Sequence, residues 1–144
     1  MENSKPLVIE ETYDAPVEKV WNAITSYDEM KQWYFEEMES FKPETGFTTR
    51  FNIHNNGNDY FHIWKVTEVV PMKKIVYRWT YRDYEGDSYV SWELSTENNK
   101  TKLKLSHSGL DTFPKDNPDF RRESFVGGWT YFLSNRLKDY LDKE

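Results

Sequence analysis

Between Leu7 and Thr25 the chain passes from an extended segment into an amphipathic helix with almost no linker, and this junction restricts the fold more than any other stretch. Pro16 suits the first helical position, where a missing N–H removes nothing. Val17, Val20, Trp21 and Ile24 recur at helical spacing, so one face of a short helix must be buried. Ahead of it, Leu7 to Asp14 has the β-branched and aromatic content of a strand. Asp28 can cap a second short helix through about Trp33, with Glu29 adding negative charge at its start.

From Gly46 onward the apolar period changes to two, and strands are expected at about 46–54, 60–70, 73–82, 88–97 and 100–108. Turn chemistry separates them: Asn55 to Asp59, Pro71-Met-Lys, Glu85-Gly86-Asp87 and Asn98-Asn99. An antiparallel meander is the simplest topology. Alternation places Ile75, Tyr77, Trp79 and Tyr81 on the apolar face, joined by Val90, Trp92, Leu94, Leu103, Leu105 and His107. Lys74, Arg78, Lys102 and Lys104 point the other way. From about Phe120, apolar residues from Phe125 and Trp129 through Leu133, Leu137 and Leu141 recur at three- and four-residue spacing, which predicts a long helix lying on that face.

Four stretches in register resemble the family of the activator of heat-shock protein 90 ATPase, within the START/Bet v 1-like superfamily. They are Ala15-Pro16 through Trp33-Tyr34, Val66-Thr-Glu68-Val69-Val-Pro71 running into Ile75-Val-Tyr77-Arg-Trp79, Thr101 through Gly109, and Gly128-Trp129. The resemblance covers about residues 7 to 141 and implies an α+β, helix-grip fold: a curved antiparallel sheet of about six strands around a long C-terminal helix, with two short helices after the first strand. A single domain over residues 1–144 is expected.

Composition removes several function classes. The chain has no cysteine, which excludes disulfide and thiolate chemistry within it, and its net charge of −6 argues against nucleic acid. Residues 1 to 5 are polar, and no apolar run approaches the roughly 20 residues of a membrane span, so a cytoplasmic protein is expected; the charge and the lack of an obvious apolar seam suggest a monomer. There is no Gly-x-Ser-x-Gly elbow, Gly-rich phosphate loop or His-Glu-x-x-His. Neither a cofactor nor a metal is expected: His54 and His62 flank the first hairpin and can approach across it, but they lack a third ligand at a recognised spacing.

The unusual quantity is aromatic content, 17% of residues. It fits either a core of large side chains or a cavity with aromatic walls. Trp33-Tyr34-Phe35 cannot all face one way on a helix, so one is expected at the surface or at a cavity mouth. The Glu36-Glu37-Met-Glu39 run reads as solvated surface. Gly127-Gly128 interrupts a helical pattern at roughly 1 kcal/mol per glycine, which close packing, a break near the helix start or a gap beside a cavity would each explain. Phe113 to Pro118 forms the loop before the helix, at one end of any cavity. His107 ends the inward face of the last strand, where it serves either as a structural imidazole or as a polar group toward a ligand.

The expected function is non-enzymatic binding of a small hydrophobic, planar or lipid-like ligand, through Trp33, Phe51, Trp64, Tyr77, Trp79, Trp92, His107 and Trp129. A protein-interaction or co-chaperone-like module is the alternative that the resemblance implies. A cyclase- or hydrolase-like enzyme using the same cavity is the other, with His107 as its acid or base.

Overall fold

The computed structural model describes residues 5–55 and 57–143. Residues 1–4 of the polar amino-terminal stretch, Asn56 of the first hairpin and Glu144 lie outside the described residues.

The elements run β1 (Leu7–Tyr13), α1 (Val17–Thr25), α2 (Tyr27–Trp33), β2 (Thr48–Asn55), β3 (Asn58–Val70), β4 (Lys74–Tyr81), β5 (Tyr84–Glu97), β6 (Lys100–Ser108) and a helix from Arg122 to Lys143. All strand pairs are antiparallel, in the order β1-β6-β5-β4-β3-β2. The meander is therefore β2 to β6, and its last strand, β6, closes back beside β1, which precedes the helix pair. The register shifts twice: Thr67 is an extra residue on β3 between Val66 and Glu68, and opposite Thr80 of β4 the extra residues lie on β5, between Tyr84 and Ser88. Such bulges bend and twist a strand, and here they curl the sheet around the C-terminal helix. This is the helix-grip fold.

Local chemistry sets the boundaries. Pro16, expected at the first helical position, is instead the N-cap of α1, one residue before Val17, and its carbonyl accepts from the N–H groups of Lys19 and Val20. Ser26, rather than Asp28, is the N-cap of α2, and Asp28 falls in its first turn. The β4–β5 turn is formed by residues 82 and 83, not by Glu85-Gly86-Asp87. Gly86 instead sits inside β5 with φ of 129°, and a Cβ there would collide with the Phe113 ring. The turn signal was a glycine required by packing.

The C-terminal helix comprises α3 (Arg122–Thr130), a π-helical segment (Tyr131–Arg136) and α4 (Leu137–Lys143). Its buried residues Trp129, Leu133, Leu137 and Leu141 repeat every four. In an ideal α-helix each such step overshoots a full turn by about 40°, so over three steps the stripe would drift by about 120°. The wider π turn, with the Leu137 N–H bonded to the Phe132 carbonyl, brings the stripe back over the sheet. Tyr13 on β1 donates its hydroxyl to the Leu133 carbonyl at 2.7 Å, and Arg136 closes the end of α2 by donating to the Gln32 and Trp33 carbonyls.

The core is a continuous aromatic cluster. Trp33 and Tyr34 stack at 4.9 Å, Tyr34 stacks on Trp64 at 5.4 Å, and Trp64 lies 4.8 Å from Tyr77 and 4.9 Å from Trp79. Separations of this size with offset or edge geometry suit the ring quadrupoles. Among the described residues, no helix is long and apolar enough to cross a membrane.

Candidate functional site

Between the start of β3, the end of β4, the tip of β2 and the α3–π segment, the side chains leave a cavity of about 510 Å³. Its sheet wall is His62, Trp79 and Tyr81, its helix wall is Phe125, Gly127, Gly128, Trp129 and Phe132, and Phe35 closes the inner end. Ile53, His54, Asn55, Tyr60, Asp119, Phe120, Glu123 and Ser124 complete it toward solvent.

Each wall follows from a local rule. Helix α2 stops at Trp33 because Tyr34 leaves helical geometry (φ −105°, ψ −120°), and this break lets Trp33 and Tyr34 both bury while Phe35 turns toward the cavity. None of the three is exposed; Phe35, half-buried, is the one that lines the cavity, at its inner end. Gly127 and Gly128 lie well inside α3, and a Cβ at either position would meet no atom within 4 Å. Neither a helix break nor close packing therefore explains the pair. Both glycines border the cavity, so the missing side chains widen it.

Of the aromatic and histidine candidates named from sequence, Trp79 and Trp129 line the cavity. Trp33, Phe51, Trp64, Tyr77, Trp92 and His107 are fully buried behind it, packed against one another rather than lining it. Trp92 donates its indole N–H to the Tyr77 hydroxyl at 3.1 Å, which is 3.0 Å from that of Tyr34, and Trp33 donates to the Ala23 carbonyl at 2.8 Å. Burial holds the Tyr34 and Tyr77 hydroxyls above their ordinary range, so both stay neutral. Phe51 stacks on His62 at 4.8 Å and thereby sets the plane of a cavity residue.

His107 is a satisfied structural imidazole. Trp129 donates its indole N–H to Nδ1 at 3.1 Å, so the ring hydrogen is on Nε2, which bonds the Ser88 hydroxyl at 3.0 Å; Ser88 in turn donates to the Trp79 carbonyl at 2.7 Å. Burial pushes its pKa down to about 3. The chain ties both cavity tryptophans to one strand position.

His62 behaves differently. Its Nδ1 lies 2.8 Å from the Tyr60 carbonyl, and because a carbonyl only accepts, Nδ1 carries the hydrogen. Burial pushes the pKa of this imidazole down to about 4, so Nε2 is a bare acceptor at neutral pH. His54 does not meet it across the hairpin: the register sets His54 opposite Asp59, which it bonds at 2.9 Å, and His62 opposite Phe51. Among the described residues, no three His, Cys, Asp or Glu side chains converge as metal ligands would.

The outer rim is polar. Tyr60 donates a short hydrogen bond to Asp119 and accepts one from the Asn117 amide at 3.1 Å. Burial and then the Asp119 bond push the Tyr60 hydroxyl up to about 12. Sequence patterning marked Tyr81 as inward and Gly127-Gly128 as anomalous and placed one residue of Trp33-Tyr34-Phe35 at the surface or a cavity mouth without singling out Phe35, but it missed His62 and Phe132 as cavity residues. Their role depends on the bulges, the end of α2 and the π turn.

The comparisons with known proteins agree with this fold. None of the curated proteins matches the chain. Protein CV1439 from Chromobacterium violaceum superposes with a TM-score of 0.81 at 18% identity over 100% of both chains. The Aha1 dimer from Colwellia psychrerythraea gives 0.66 at 22% identity, over 94% of this chain and 95% of that one. At these identities both likenesses show the fold alone. Protein MLL2253 from Mesorhizobium loti gives 0.70 at 26% identity, over 96% and 98%. The family model described as Activator of Hsp90 ATPase homolog 1-like protein matches residues 14–142, which is nearly the whole chain, and the protein belongs to that family.

Proposed function

We propose that this protein binds a small hydrophobic, planar ligand in the cavity between sheet and C-terminal helix, and does so without transforming it. The observation that carries this reading is the aromatic cavity of about 510 Å³ widened by Gly127 and Gly128. Its volume falls within the roughly 300–1,000 Å³ typical of small-molecule sites. A pair of helix glycines with no packing partner is intelligible if the space beside them is used. In this reading Trp79 and Trp129 touch the ligand, together with Phe35, Tyr81 and Phe132. Trp33, Phe51, Trp64, Tyr77, Trp92 and His107 support that wall from behind.

Binding is favoured over catalysis by the state of the imidazoles. A general base works best with a pKa near the operating pH, whereas burial holds His62 near 4 and His107 near 3. His107 also spends both ring nitrogens on protein partners.

Tryptophan fluorescence and thermal unfolding, followed while flavonoids, sterols and fatty acids are added, test the proposal. Saturable quenching with a rise in Tm for at least one flat apolar class is expected. An unmoved spectrum and Tm across the whole panel would overturn it.

A further inference from the structure

The cavity floor holds an unspent hydrogen-bonding pair. His62 and Tyr81 are directly opposite each other in the β3–β4 register, with ring centroids 4.7 Å apart, and both line the cavity. Nδ1 of His62 is committed to the Tyr60 carbonyl, and among the described residues no group bonds Nε2. Nor is Nε2 among the sealed, unpartnered polar atoms, which are Thr49 Oγ1 and Trp64 Nε1, so it opens onto the cavity. The Tyr81 hydroxyl accepts the Trp79 indole N–H at 2.8 Å and, among the described residues, donates to none, which leaves its own hydrogen available. Two residues paired across the strands therefore offer the cavity one acceptor and one donor. Buried polar groups are nearly always paired; His62 Nε2 has no partner here, and the Tyr81 hydroxyl uses only its acceptor side.

The rim adds a sign. Asp119 and Glu123 border the opening, and neither a lysine nor an arginine lines the cavity. Carboxylates facing a partly desolvated opening repel an anion and tolerate a neutral or cationic ligand.

Building on the cavity reading above, we infer that the cavity selects aromatic ligands carrying a neutral or cationic hydrogen-bond donor, a phenol or an amine, seated on His62 and Tyr81, and rejects aromatic carboxylates. A phenolic O–H satisfies both floor groups at once: it donates to His62 Nε2 and accepts from the Tyr81 hydroxyl. Its methyl ether can accept but cannot donate. A carboxylate presents only acceptors to the Nε2 lone pair and meets the acidic rim.

Three naphthalenes of one size separate these cases at neutral pH: 2-naphthol, 2-methoxynaphthalene and 2-naphthoate, each titrated into the full chain. The indole signals of Trp79 and Trp129 report occupancy of the cavity, and the ¹⁵N resonance of His62 Nε2 reports the hydrogen bond. The expected result is that 2-naphthol binds about tenfold tighter than the other two, the ratio one well-made hydrogen bond supplies, and alone moves the Nε2 resonance upfield. Glu123→Gln, a substitution at an exposed rim position, is expected to improve 2-naphthoate relative to 2-naphthol at low salt. If the ether or the carboxylate matches 2-naphthol, if Nε2 is unmoved at saturation, or if Glu123→Gln leaves the ratio unchanged, while the two indoles respond, this inference is overturned and the cavity reading stands. If no probe moves either indole, both are overturned.

Discussion

At the residue scale the two buried histidines make the protein sensitive to acid. Both imidazoles are neutral in the folded chain, with pKa values lowered by burial to about 4 for His62 and about 3 for His107. In the unfolded chain a histidine titrates near 6.5. Below that pH the unfolded state binds more protons than the native one, so their stabilising contribution is complete above about 6.5 and shrinks as the pH falls toward 4. Each accounts for a few kcal/mol, on the order of 3, over that window. A Tm that falls steadily from pH 7 to pH 4.5, before most carboxylates titrate, is the expected observation; a flat profile down to pH 5 would contradict the assignment. Ser88→Ala removes the acceptor of the His107 Nε2 hydrogen and leaves that donor buried and unpaired. A loss of about 1–3 kcal/mol in denaturant unfolding is expected.

At the scale of elements, the strands and short helices were legible because alternation and turn chemistry are local. The inward set at Ile75, Tyr77, Trp79 and Tyr81 and the Asn98-Asn99 turn, with φ of 51° and 67°, are found where their spacing places them. Gly86 misled because its reason is tertiary: the Phe113 ring occupies the space its side chain would fill. Gly86→Ala is expected to destabilise by about 2 kcal/mol or more, from backbone strain and overpacking together. Gly127 and Gly128 predict the opposite sign. Alanine at either meets nothing and gains helix propensity, so each substitution is expected to stabilise by up to about 1 kcal/mol. Leucine at the same positions projects into the cavity and is expected to weaken ligand binding while the fold persists. Calorimetric unfolding and a binding titration on the same variants separate the two effects.

At the scale of the molecule, sequence alternation states which residues face inward but not whether their inward neighbours leave space. Trp64 and Trp79 are cross-strand partners on one face, yet Trp64 is sealed beneath Tyr34 and Tyr77, and Trp79 borders open volume. The difference arises where α2 ends, how the helix widens over residues 131–136 and where the sheet bends, none of which has a two- or three-residue period. Fold and family were therefore readable from the chain, and the cavity was readable only at Trp79, Trp129 and the paired glycines. The most direct test of the account is a ¹H–¹⁵N NMR titration of the protein with flat aromatic ligands, following all six tryptophan indoles. The account predicts that the Trp79 and Trp129 indoles move first and saturate together, while Trp33, Trp64 and Trp92 shift little. Indoles unmoved at millimolar ligand, or shifts confined to residues away from the cavity, would contradict it.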